Sequence, residues 1–258
     1  MMAETKSLEI NVPDTLNSIK LSQYQKYLKI LDANKDVEED NHFLNRKFIE
    51  IFCDMSLKEV DFIELKVFSE ITNILEVTFQ ETTPLIRHFS MNGVSFGFIP
   101  NLDKISLGEY IDIEQNITSH DNLHKAMAVL FRPVKKQSGD KYQIVKYEGL
   151  GEYAEIMKSM PLGVALGARV FFLATRKRLT ESYPEVFGTG EGGDDFSAGA
   201  NFGSKWGWYQ SIHKLAGGDV FKLEEVTRLS FHKCMTFLSY EKEKTELENN
   251  MIKNSFKR

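Results

Sequence analysis

IRHFSMNGVSFGFIPNLDKISLGEYIDIEQNITSHDNLHKAMAVLFRPV, residues Ile86 to Val134, is the stretch from which the fold is read. Asn92-Gly93 lies between two runs of strand-favouring residues, Ile86 to Met91 and Val94 to Ile99. Both turn residues of a tight hairpin need φ > 0, which asparagine and glycine tolerate, so this dipeptide predicts a β-hairpin. Pro100 ends the second strand. Ser106 and Glu109 have capping-box spacing and start a helical turn with Leu107, Tyr110 and Ile111. Leu123, Ala126, Met127, Leu130 and Phe131 recur at helical spacing, and Pro133 cannot continue that helix. A hairpin is not stable alone, so its apolar face is expected to pack on these two helices.

Working outward, residues 1–9 are polar, and Ile10, Val12, Leu16, Ile19 and Leu21 suggest a short edge strand and its turn. Leu21, Tyr24, Leu28 and Leu31 then repeat as a helix, closed by the charged loop Asp32 to Asp40. Leu44, Phe48, Ile51, Phe52 and Met55 form a wide apolar face. Ser56 and Glu59 give a second capping box, opening a helix with Val60, Ile63, Val67, Ile71 and Ile74 on one side. On the other side of the hairpin, Lys135 to Asp140 reads as a polar loop and Tyr142 to Tyr147 alternates like a strand. Pro161 introduces the most apolar helix, Leu162 to Leu173, where Gly163 and Gly167 would admit another helix closely. Arg176-Lys177-Arg178 marks the C-terminal end of a helix.

Gly188 to Gly203, GTGEGGDDFSAGANFG, has too little apolar content to fold by itself and reads as a flexible linker. After it, Trp206, Trp208, Tyr209, Ile212 and Leu215 belong to one helix ended by Gly217-Gly218. Asp219 caps a short helix with Phe221, Leu223 and Val226. A last helix starts near Ser230 with Phe231, Cys234, Met235, Phe237 and Leu238. Beyond Glu241 it keeps only Leu247 and Met251 of an apolar stripe, too narrow for a core face. The expected fold class is α+β and predominantly helical. It has three parts: a helical body with a small antiparallel hairpin sheet over 8–187, a linker over 188–203, and a tethered C-terminal helical unit over 204–258.

Composition narrows the function. The chain has 258 residues, 42% apolar and 27% charged, with a net charge of -5, which argues against a nucleic-acid partner. Cys53 and Cys234 each sit in an apolar helical pattern and read as buried free thiols of a reducing cytoplasm. The N-terminus lacks an apolar signal core and the apolar run Pro161 to Thr175 is broken by Arg169, so a soluble, unexported protein is expected, with no membrane partner.

Reactive constellations are weak. His120 and His124 are spaced as two helical metal ligands, but a third ligand is not evident, and surface or capping histidines are the better reading. His232 and Cys234 face different sides of a helix. The glycines of 188–203 lack a P-loop pattern and carry Glu191, Asp194 and Asp195, which would repel phosphate; neither Asp194-Asp195 nor Glu224-Glu225 has a reason to work as acid and base. No catalytic, cofactor-binding or metal-binding residue is therefore assigned. Trp206, Trp208 and Tyr209 read as core, as partner contact, or as one of each, because large aromatics with a polar tip are enriched in interface hot spots.

Two passages, FGFIPNLDKISLGEYIDIEQNITSHDNLHKAMAVLFRPV from Phe96 and WGWYQSIHKLAGGDVFKLEEVTRLSFHKCMTFLSYEKEKTELENN from Trp206, resemble the tail assembly chaperone-like proteins of tailed bacteriophages. The resemblance implies a non-enzymatic helper in the host cytoplasm that binds tape measure or tube subunits of the phage tail during virion morphogenesis. A short and a frameshifted long form occur in such families, and 188–203 would be the junction here. On that reading the body self-associates or holds one client, while Trp206, Trp208, Tyr209, Leu247 and Met251 engage another. A structural virion component of the neck, baseplate or capsid is the alternative. An enzyme is the third reading, and it would show a deep polar pocket with perturbed ionisable groups.

Overall fold

A computed structural model of the chain describes residues 9–35, 41–139, 141–187 and 206–256. The N-terminal part contains α1 (Leu21–Ala33), α2 (Asn41–Phe52), α3 (Leu57–Val60) and α4 (Leu65–Phe79). The hairpin comes next as β1 (His88–Met91) and β2 (Val94–Phe98), then α5 (Leu107–Ile117), α6 (Leu123–Leu130), β3 (Phe131–Ser138) and β4 (Lys141–Ile144). The short α7 (Tyr153–Ile156), the long α8 (Leu162–Glu181) and α9 (Pro184–Phe187) complete the body; α10 (Trp208–Leu215), α11 (Leu223–Thr227) and α12 (Phe231–Ser255) end the described chain. The fold is α+β, mainly helical, with one antiparallel sheet in the order β1-β2-β3-β4.

Local rules explain many of these elements. Asn92 and Gly93 both have positive φ, 51° and 77°, as the hairpin turn requires. Ser106 accepts from the Glu109 N–H and Glu109 accepts from the Ser106 N–H, closing the capping box of α5. The same box forms at Ser56 and Glu59. Gly217 and Gly218 come after α10 with φ of 64° and 80°, and the Gly218 N–H returns to the His213 carbonyl. Asp219 and Ser230 cap the turns that they precede. Cys53 and Cys234 are free and buried.

The sheet buries one face through Phe89, Phe96, Phe98 and Phe131, whose rings meet at 5.3–5.4 Å, and Phe98 continues to Phe171 of α8 at 5.8 Å. Over the other face, Tyr142 lies across Gly97, where a Cβ would come within 2.5 Å of its ring. Its hydroxyl donates to the Phe98 carbonyl at 2.6 Å.

Several expectations are corrected. Lys135 to Ser138 is not a loop. The chain leaves α6 at Phe131 directly into β3, which pairs with β2 through Phe96↔Pro133 and Phe98↔Phe131 and with β4 through Gln137↔Tyr142. Pro133 has no N–H to give, and the β3–β4 ladder is irregular beside it, between Val134 and Lys136. The edge strand suggested between Ile10 and Leu21 is absent from the described residues. A 3-10 turn, Leu16–Ser18, buries Leu16 instead, and Lys20 makes an isolated bridge to Pro161. The helix opened by Ser56 stops after Val60, and α4 turns Ile71, Thr72, Leu75 and Thr78 inward while Val67 and Ile74 stay exposed. Gly163 and Gly167 do not receive an α-helix: a Cβ at Gly163 would meet Asn17 of the Leu16–Ser18 3-10 turn at 2.5 Å, and one at Gly167 would meet the Pro84 carbonyl oxygen at 2.4 Å, so it is that turn and the segment before β1 that pack closely there.

The linker predicted over 188–203 lies outside the described residues. The chain from Trp206 onward docks on the body. The Leu107 N–H donates to Leu229 O at 2.8 Å, and the Phe231 N–H to Ile105 O at 2.9 Å, so the starts of α5 and α12 run antiparallel at Ser106↔Ser230. Phe231 is fully buried with its ring 4.1 Å from Tyr110, and Tyr110 in turn lies 6.3 Å from Phe172.

His124 is also buried, at 4% exposure, which corrects its reading as a surface or capping group. Gln25 of α1 reaches it: the Gln25 amide donates to His120 O at 2.7 Å and lies 3.1 Å from His124 Nδ1. His120 does not join it, and its ring instead meets Tyr24 edge-on at 6.3 Å. Burial, ahead of the nearby Lys158, holds the His124 pKa below its ordinary value of 6.5, against the opposing pull of Glu155. A buried neutral histidine takes up a proton on unfolding. Its stabilising contribution is thus complete above the ordinary value and is lost as pH falls through the lowered folded one.

Two outcomes are expected. Phe231→Ala should lower the free energy of urea unfolding by about 3–5 kcal/mol, the usual cost of deleting a buried phenylalanine ring. Stability should fall as pH drops below the ordinary histidine value of 6.5, and His124→Gln should flatten that slope in parallel urea titrations.

Candidate interaction surfaces

Three acids of α5 are engaged in holding the body together. Glu109 of α5 pairs with Arg132 of β3 at 2.7 Å, and both are buried. One turn on, Asp112 accepts a hydrogen bond from the Tyr147 hydroxyl, and burial, ahead of that carboxylate, drives the Tyr147 pKa far up. Glu114 accepts from Trp208 Nε1 at 2.7 Å and pairs with Arg176 of α8 at 3.1 Å. Three acids on one helix thus tie the sheet, α8 and α10 to it. Burial pushes the Cys53 and Cys234 thiols up to about 11, so their thiolate forms are scarce at neutral pH.

The structure divides the aromatic cluster. Trp208 is half-buried and turned inward, edge-on to Tyr110 at 5.7 Å and to Phe187 at 6.0 Å. Trp206 and Tyr209 remain 41% and 45% exposed, with their rings 5.6 Å apart. They border an open groove of about 390 Å³ whose floor includes Ile111, Gln115 and Ile212. A second hollow, of about 350 Å³, lies between α1 and the end of α2 and is lined by Ser22, Gln23, Lys26, Glu50 and Asp54.

The other two residues assigned to partner contact lie on α12. Its first turns are buried through Phe231, Cys234, Met235 and Leu238. Ser239 and Lys242 make the last hydrogen bonds to the body, both to Glu185 of α9. Every described residue from Lys242 to Phe256 is exposed, and the helix runs on to Ser255, an arm of ~20 Å at 1.5 Å per residue. Leu247 and Met251 stand on it 57% and 61% exposed. Trp206 and Tyr209 on one side and Leu247 and Met251 on the other therefore sit on separate elements.

A third apolar surface went unread in the sequence. Phe62, in the break between α3 and α4, and Leu65, the first residue of α4, are 86% and 82% exposed, and Val77 and Ile74 continue outward along α4. Two overlapping stripes run through this segment. Phe68, Ile71, Thr72, Leu75 and Phe79 make the inner one, and a count of both would have flagged Leu65, Val67, Ile74 and Val77 as surplus.

Among the described residues, no helix is long and apolar enough to cross a membrane. No family model matches this chain, and neither a curated protein nor a solved structure matches it.

Proposed function

We propose that this chain is a non-enzymatic assembly helper of a tailed bacteriophage, which binds tail structural proteins such as tape measure or tube subunits in the host cytoplasm. The α12 arm carries the proposal. A helix of this length without tertiary burial is marginal in water, and this one keeps Leu247, Met251, Ile252 and Phe256 exposed along it. Apolar side chains presented on a firmly anchored helix favour a binding role, because the ordering cost is met by the body before any partner arrives. Trp206 and Tyr209 beside their groove, and the outward face of α4, are further surfaces of the same kind. The convergent acids of α5 support the reading from the other direction, since each is already taken up by a partner within the chain.

The test is co-purification of the tagged full-length chain from infected cells, with Leu247→Gln/Met251→Gln alongside. Tail proteins should accompany the parent chain, and the double variant should lose at least about tenfold of them, in line with two interface anchors. The chain should be missing from purified particles. Its retention there in stoichiometric amount would favour a structural virion component instead.

A further inference from the structure

The charges on α12 are sorted around its apolar stripe. At 100° per residue, Tyr240, Lys244, Leu247 and Met251 fall within one narrow sector of the helix. Glu241 and Glu248, seven residues apart, border it on one side. Glu243 borders it on the other, followed by Asn250 and Asn254. Lys242 and Lys253 lie on the opposite face, and the one lysine inside the stripe, Lys244, is 4.0 Å from Glu248.

We infer that this face of α12 docks a helix from a different polypeptide, an amphipathic one whose apolar stripe is bordered by lysine or arginine. Two other occupants fit the charges poorly. In a parallel pair of α12 arms, Glu243 of one copy would face Glu248 of the other, and in an antiparallel pair Glu241 would face Glu248. Both arrangements set carboxylate against carboxylate. Helices that lie on anionic membrane surfaces carry lysine and arginine beside the apolar face, whereas here acids border it. A basic-bordered helix meets Leu247 and Met251 with its own apolar groups and Glu241, Glu243 and Glu248 with opposite charge. Such complementarity speeds encounter and selects among partners more than it adds affinity.

This inference rests on the assembly-helper reading for where the partner comes from, but it is tested without it. Two fluorescent synthetic helices with the same leucine stripe, one bordered by lysine and one by glutamate, are titrated with the full-length chain at low salt and followed by anisotropy. The lysine-bordered helix should bind about tenfold tighter, the effect of three favourable flank pairs against three unfavourable ones. Leu247→Gln/Met251→Gln should abolish that binding while the thermal melt is unchanged. Glu241→Gln/Glu243→Gln/Glu248→Gln should erase the preference.

Equal binding of the two helices would overturn the inference, as would binding of neither. Binding that survives the Leu247/Met251 variant would overturn it too, because it would be attraction to the acidic chain as a whole. So would a dimer in light scattering that Leu247→Gln dissociates, or arm-dependent binding to anionic vesicles. If the preference fails while tail proteins still co-purify from infected cells, the partner chemistry alone is wrong. If it holds while none co-purify, the docking face stands and the assembly role falls.

Discussion

Two reciprocal pairs of backbone hydrogen bonds, each joining the starts of two helices, hold the frame on which everything else depends. The first N–H groups of a helix have no acceptor within it and need one elsewhere. In this chain Leu21 and Leu162 take theirs from Met160 and Ile19, while Leu107 and Phe231 take theirs from Leu229 and Ile105. Each pair is an antiparallel bridge between N-cap residues, Lys20↔Pro161 and Ser106↔Ser230. The N-cap residues can bridge because their backbones are extended, with ψ between 131° and 160°. One bridge fixes α1 against α8 near the N-terminus, and the other fixes α12 against α5.

The second bridge makes α12 an arm of fixed direction. Phe231 enters the aromatic cluster of Tyr110, Tyr183 and Phe187 immediately after it, and the Glu185 contacts hold the helix about two to three turns further on. Past that point the helix leaves the body. The arm thus inherits its orientation from buried contacts near its start, and its exposed stripe is presented without a flexible joint among the described residues. The Glu114 carboxylate, shared by Trp208 and Arg176, adds the neighbouring α10 to the same assembly. Trp208 is committed to this support, which leaves Trp206 and Tyr209 as the outward members of the cluster.

Position along α5 shows how polar groups serve the frame. Glu109, Asp112 and Glu114 reach Arg132 of β3, Tyr147 beyond β4 and Arg176 of α8 in turn, three segments brought together by one helix. Removing one member of the buried Glu109–Arg132 pair would leave the other charge uncompensated, which costs more than the pair contributes.

What the sequence determined by itself was whatever closes within a few residues. The Asn92-Gly93 turn, the capping boxes at Ser56 and Ser106, the Gly217-Gly218 stop and the exposed spacing of Leu247 and Met251 all depend on backbone preference and local hydrogen bonds, and neighbours along the chain supply both. Tertiary structure decided what depends on distant partners. Phe131 to Ser138 became a strand because β2 and β4 offered it two ladders, although Pro133 and the lysines among its residues are poor strand formers. Gly163 and Gly167 accepted a 3-10 turn and an extended segment in place of an α-helix, since an absent side chain specifies room and not its occupant. His124 and Trp208 turned inward for the same reason: Gln25 and Glu114, each more than ninety positions away, completed their hydrogen bonds. Spacing orders the side chains on one element, and only packing says which of its faces meets another.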